Sequence, residues 1–264
     1  MQSRLTAILC ALAVAAIAQG AEVPKTPAQT FKGLPGWLGL ATIEGKSNID
    51  APGHKTAHVA VSEEPQAWVS LGTATKLRAL APGFSEVVNF VATESVVYRC
   101  DDSEETFAFF KGMNRPPRGV VWLVPTATAA SVRGVVALAD ADTPKGLRAA
   151  GQKEMRAWQV GDGWTFVVRR MESAFTAEIW QAQTRLWQES QAWQPMEGDE
   201  GGPPTLAQGG PGIRMPRMLL TSGATNLLLV QTDGYEGTNF DGLFLEQASA
   251  RWAEGRVSLY WCAF

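Results

Sequence analysis

The chain of 264 residues is short of the side chains on which most nucleophilic enzymes depend. It has two histidines, three cysteines and three tyrosines. A serine or cysteine nucleophile usually needs a histidine base, and no Gly-x-Ser-x-Gly is present. The two histidines, His54 and His58, lie in Gly53-His54-Lys55-Thr56-Ala57-His58. On a helix that spacing would put both on one face for zinc. Gly53 and the following Val59-Ala60-Val61 instead read as a turn entering a strand, where positions four apart lie about 13 Å apart. The pair is therefore expected as exposed loop residues, with no metal site and no cofactor. Charge of one sign is also scarce. Lys and Arg number 23 against 26 Asp and Glu, a formal net charge of −3. With no basic run, nucleic acid and anionic lipid are not expected partners.

Long hydrophobic runs are missing too, and the one near the start is of another kind. Met1 to Gly20 has the form of a signal peptide: Arg4 in the n-region, Leu5 to Ile17 as the apolar core, and Ala18-Gln19-Gly20 as the cleavage site. Its apolar core is too short to cross a bilayer, and Cys10 sits in mid-run rather than at a lipoprotein position. No integral membrane segment is expected in the mature chain, which would be periplasmic or secreted. Cleavage removes Arg4 and Cys10, leaving two cysteines in an oxidising compartment. That favours a disulfide between Cys100 and Cys262. Both lie in strand-like stretches, Ser95 to Cys100 and Arg256 to Phe264, and closing the long span between them would stabilise the fold by about 4–5 kcal/mol.

What the chain does have is strand. Short apolar runs between Gly, Pro, Asn and Asp are read at Trp37–Glu44, Ala57–Ser62, Ala67–Leu71, Glu86–Ala92, Ser95–Asp101, Thr106–Lys111, Gly119–Val124 and Val132–Ala139. Met155–Val160 and Trp164–Arg170 flank Gly161-Asp162-Gly163, whose Asp-Gly signals a hairpin. Met218–Leu220, Asn226–Gln231, Gly242–Gln247 and the last nine residues complete the series. The fold class expected is all-β, an antiparallel sandwich or barrel. One amphipathic helix is expected to cover a face or end. It is placed at Ser173–Gln191, where Phe175, Ile179, Ala182 and Leu186 recur at intervals of four, three and four, with Ser173 as N-cap.

The expected organisation is a signal peptide at 1–20, a flexible arm at 21–32, and a single disulfide-closed β domain at 33–264. Within it, 195–216 carries five Pro and six Gly and is read as a long loop. The candidate ligand site is placed where that loop meets the helix end and the 233–241 loop. It comprises Trp187, Trp193, Asp233, Tyr235, Glu236, Asn239 and Asp241, a mixed aromatic and polar set suited to a hydroxyl-rich ligand. Oxygen-bearing side chains at 233, 239 and 241 could also wrap calcium, but the spacing is not that of an EF-hand, and a plain turn is the simpler reading. All ten tryptophans follow the leader. Trp122, Trp164 and Trp261 are expected in the core, whereas Trp180, Trp187 and Trp193 are candidates for exposure.

One resemblance is short. Val97-Tyr98-Arg99-Cys100-Asp101-Asp102 followed by Thr106-Phe107-Ala108-Phe109-Phe110 resembles the first hairpin of the small periplasmic inhibitors of C-type lysozyme. These are β-barrels with a Tyr-x-Cys strand bonded to a cysteine near the C-terminus. Ser222-Gly223-Ala224-Thr225-Asn226 matches only the first half of that family's Ser-Gly-x-x-Tyr loop, and the chain is far longer. The resemblance implies a hydrolase inhibitor. The residues themselves favour an exported binding protein for a glycan or protein ligand, with no catalytic constellation evident. An envelope-glycan hydrolase with paired carboxylates from 101–105 or 233–241 is the enzymatic alternative.

Overall fold

Alternation of apolar residues with period two, expected of strands buried on at least one face, organises three sheets in the computed structural model. The structure describes residues 26–42, 58–62, 64–97, 104–114, 117, 119–139, 142–193, 203–207, 209–234 and 237–260. Cys100, Cys262, Tyr235, Glu236, His54, Trp261 and the expected signal peptide lie outside the described residues.

The first sheet is a closed six-stranded barrel of β1 (Trp37–Thr42), β2 (His58–Val61), β3 (Lys76–Ala81), β4 (Phe84–Val97), β5 (Glu104–Lys111) and β6 (Gly119–Pro125), in the order β1-β2-β5-β4-β3-β6. Trp37, Ala41, Leu77, Ala79, Ala81, Val121 and Leu123 pack together in one core, while the intervening Leu38, Leu80, Trp122 and Val124 belong to another. A seven-residue helix, α1 (Pro65–Leu71), sends Trp68 into the barrel core, edge-on to Trp37 and Phe110. The stretch 67–71 is thus helix and not strand. Pro65 at the first turn has the fixed φ and missing N–H that a helix start tolerates. β3 was not foreseen either, because its Lys-Leu-Arg-Ala-Leu-Ala lacks β-branched residues.

Two five-stranded antiparallel sheets follow. The outer one contains β8 (Val136–Ala137), β9 (Glu154–Val160), β10 (Trp164–Arg170), β11 (Ala174–Gln181) and β12 (Thr184–Ala192). The central one contains β7 (Ala130–Gly134), β13 (Arg214–Ser222), β14 (Thr225–Asp233), β15 (Gly237–Leu245) and β16 (Ala250–Tyr260). The central sheet is buried on both faces. In β14, Leu228 and Val230 pack with Phe166, Val168 and Ile179 of the outer sheet. Leu227 and Leu229 pack with Leu38, Leu80 and Trp122 on the outside of the barrel. Each of those four β14 residues has no exposed surface, worth about 1.5–3 kcal/mol apiece for a leucine taken from water.

The expected helix at Ser173–Gln191 is a β-hairpin, β11 and β12, with Gln181 paired to Thr184 across the turn. An interval of four shares a face on a strand as well as on a helix, so Phe175 and Ile179 fit both patterns. The interval of three, Ile179 to Ala182, runs into the turn, where Ala182 has φ 51°. No glycine marks that turn. Phe175 and Ile179 still face the core.

Two loop expectations also change. The strand β13 begins at Arg214, inside the expected loop, and buries Pro216 beside a bulge, where a missing N–H is tolerated. From Thr26 the expected arm is docked rather than free. Phe31 and Leu34 are buried, and Lys32 N–H donates to the Glu254 carbonyl at 3.0 Å. Gly255 permits this crossing. It has φ 116°, and a Cβ there would collide with the Thr30 carbonyl oxygen. His58 is buried against Phe109, ring centroids 5.2 Å apart, and not in an exposed loop.

Candidate functional site

The central sheet is a meander, so its turns alternate between two ends. The β13–β14 turn at 223–224 and the β15–β16 turn at 246–249 share one end. The start of β13 and the β14–β15 turn share the other, since Arg214 pairs with Thr232 and Thr232 with Asn239.

That second end holds the polar residues expected at the site, and it spends them on each other. Asp233 Oδ1 accepts from Thr238 Oγ1 at 2.8 Å and from the Gln231 amide. Asn239 Oδ1 accepts from Ser258 Oγ at 2.7 Å. Asp241 receives Arg256 through Nε at 2.6 Å and Nη2 at 3.3 Å. Asp233 pairs with Thr238, so it shares that residue's face and points away from Asn239 and Asp241. Their oxygens do not converge in the way calcium would require. Among the described residues no group of three His, Cys, Asp or Glu side chains is placed to hold a metal. Trp187 is half-buried and meets Trp252 edge-on at 5.2 Å. Glu189 ties this contact down, accepting from Trp252 Nε1 at 2.7 Å and Arg214 Nη2 at 2.6 Å. Trp193 is half-buried against the same core, its N–H donating to the Ser173 carbonyl at 3.0 Å.

The opposite end opens into a cleft of about 600 Å³. Four separate segments line it: Lys32 and Gly33 from the docked N-terminal stretch, Trp164 at the first position of β10, Ala224 to Asn226 in the β13–β14 hairpin, and Phe244 to Gln247 with Arg251 in the β15–β16 hairpin. The 161–163 turn places Trp164 at this rim, and Asp162 is held there by Arg133 of β7 at 2.6 Å. Trp164 is half-buried, and its Nε1–H has no acceptor among the described residues. Asn226 accepts one bond through Oδ1, from Thr221 Oγ1 at 3.0 Å. The Arg251 guanidinium lies over the Phe244 ring at 4.7 Å and gives Nε to Glu246 at 3.2 Å. Hydrogen bonds from Ser249 and then Arg251 hold the Glu246 carboxyl below its ordinary range, so it stays ionised. Lys32 pairs with Glu254 at 2.9 Å, both about three-quarters exposed, a contact that water screens and that adds little stability.

The cleft residues were not singled out from the sequence, apart from the hairpin 222–226. Trp164 was taken for core. The usable signal was the Asp-Gly turn, which starts a strand at Trp164 and so puts it on a sheet rim. The deeply buried ion pair, Arg169 with Glu178 at 2.9 Å on the outer face of the outer sheet, is saturated by Gln152 and Trp180 and reads as structural. No family model, curated protein or solved structure matches the chain, so the resemblance to lysozyme inhibitors stays confined to its two short motifs.

Proposed function

We propose that the protein is an exported, non-catalytic binding protein whose glycan or protein ligand occupies the cleft between Trp164, Asn226 and Arg251. The observation that carries this reading is a large concavity bordered by a half-buried indole and by two side chains, Asn226 and Arg251, that keep hydrogen-bonding groups unspent among the described residues. Ligand sites are commonly concave, with aromatic walls and a few placed polar groups. A hydrolase would need a second carboxylate beside Glu246 in the cleft wall, and among the described lining residues Glu246 is the one carboxylate. Incubation with envelope glycan fragments separates the two. The binding reading expects fragments retained intact by the wild type and held more weakly by Trp164→Phe, which keeps an aromatic ring in the packed position, with the melt little changed. Shortened fragments would replace it with hydrolysis.

Inhibition of a lysozyme-like hydrolase is the second reading, favoured by one observation: Ala224 to Asn226 of the Ser-Gly hairpin border the cleft. Loss of C-type lysozyme turnover on adding the protein would support it, and full turnover would remove it. Export also carries the disulfide proposal. Phe107 of β5 and Val257 of β16 line one crevice, so the strands leading to Cys100 and Cys262 approach each other. Non-reducing peptide mapping of the secreted protein should recover a Cys100–Cys262 peptide. Two free thiols would refute the pairing.

A further inference from the structure

We propose that the cleft takes a carboxylated sugar, with Arg251 reading the carboxylate and Trp164 carrying the ring; this rests on the binding reading above. The first argument is charge. The cleft lining offers two cations, Lys32 and Arg251, each with one carboxylate neighbour, Glu254 and Glu246, so an incoming acid is met by local contact and not by a net positive field.

The second argument is the state of Arg251. Stacking on Phe244 and the bond from Nε to Glu246 orient its guanidinium, whose side chain is 62% exposed. Among the described residues Glu246 engages Nε alone, leaving the two terminal amino groups for an incoming acid. Two parallel N–H donors match a planar carboxylate. Lys32, paired with Glu254 at 2.9 Å, is the other cation in the lining.

The third argument is the rest of the wall. Trp164 borders the cleft and offers an apolar face for the C–H side of a sugar ring, while its occluded Nε1–H takes no part in that contact. Asn226 has spent only Oδ1, so its amide N–H groups are free to meet hydroxyls, and Gln247 beside it is exposed. Trp164 and Asn226 border the cleft on the outer-sheet side of the central sheet and Arg251 on the barrel side, so one ligand reaching both spans the sheet's end, as an oligosaccharide with a ring at one side and a carboxylate at the other can.

The test is equilibrium binding, read by tryptophan fluorescence and calorimetry, of uronate- and sialate-bearing oligosaccharides, each beside its carboxyl-reduced form. The wild type should bind at least one acid about tenfold more tightly than its reduced form, the scale of one charge-assisted pair. Arg251→Gln should bring that ratio close to one and leave affinity for the reduced form unchanged. Trp164→Phe should weaken both forms together, and Arg256→Gln, at the other end of the sheet, should change neither. Equal affinity for acid and reduced forms would overturn the acidic ligand and leave the binding reading standing. Acid selectivity that survives Arg251→Gln would overturn the assigned role. Binding of no member of the panel would overturn both the acidic sugar and the glycan half of the broader reading.

Discussion

The two ends of the central sheet carry much the same residue types and finish with opposite character. At the β14–β15 end, Asp233, Asn239 and Asp241 are each claimed by a side chain one strand away or closer. At the hairpin end, among the described residues, Asn226 keeps its amide N–H groups and Arg251 its two terminal amino groups beside an open cleft that Trp164 also borders. Composition alone does not make a binding site. What separates the ends is partner spacing: directly paired residues on neighbouring strands lie within side-chain reach, so acids and amides in the body of a ladder satisfy each other. Trp164, Asn226 and Arg251 have ladder partners too, but each has an apolar one, Val160, Leu245 and Phe244, which leaves side-chain polar groups unclaimed.

The largest effect breaks both ends together. Leu228→Ala and Leu229→Ala empty opposite faces of β14, and each should cost about 2–5 kcal/mol in urea unfolding. If one of them cost under about 1 kcal/mol, that face would not be core. Next comes the contrast in binding. Trp164→Phe should lower affinity for the bound ligand about tenfold while moving stability by less than about 1 kcal/mol, since an unpaired indole N–H has no hydrogen bond to lose. A collapse in stability would make Trp164 a packing residue.

Asp241→Asn should invert that pattern at the other end. Ligand affinity should hold, and stability should fall by about 1 kcal/mol or less, because Arg256 is more than half exposed. Lost affinity would move the site to the end first expected from the sequence. The smallest effect is on pH. Glu246 titrates below its ordinary 4.5 because Ser249 and Arg251 bond its carboxylate. Its folded-state pKa is depressed, so the stabilisation it gives the hairpin is present above pH 4.5 and fades as pH falls through the lower folded value. Carboxyl chemical shifts across an acid titration should show this, and Glu246→Gln should abolish it. A titration at the ordinary value would remove those bonds from solution.

Much of the fold was legible because period-two alternation reports burial directly. Asn226–Gln231 was read as a strand, and the structure buries both faces of its unbroken apolar run Leu227 to Val230. Nothing in that run said that a barrel covers one face and a second sheet the other. The β11–β12 hairpin was misread because intervals of four satisfy helix and strand alike, and the turn at Ala182 carries no glycine. Seven residues at 65–71 were too few to display a helical period. The cleft was the least legible feature. Its walls come from residues near 33, 164, 225 and 248, brought together only by the stacking of the layers. The expected site, by contrast, was chosen for local density of polar and aromatic residues, the property the ladder neutralises.

The proposed ligand site is at the hairpin end of the central sheet and not at the Asp233 end. Backbone amide chemical shifts of the protein, followed while titrating the oligosaccharide of highest affinity, distinguish the two. Shifts are expected at Trp164, Ala224 to Asn226 and Glu246 to Arg251, with Thr232, Asp233 and Asn239 to Asp241 unmoved. Shifts confined to 232–241 and Trp193, with the hairpin end silent, would contradict that placement.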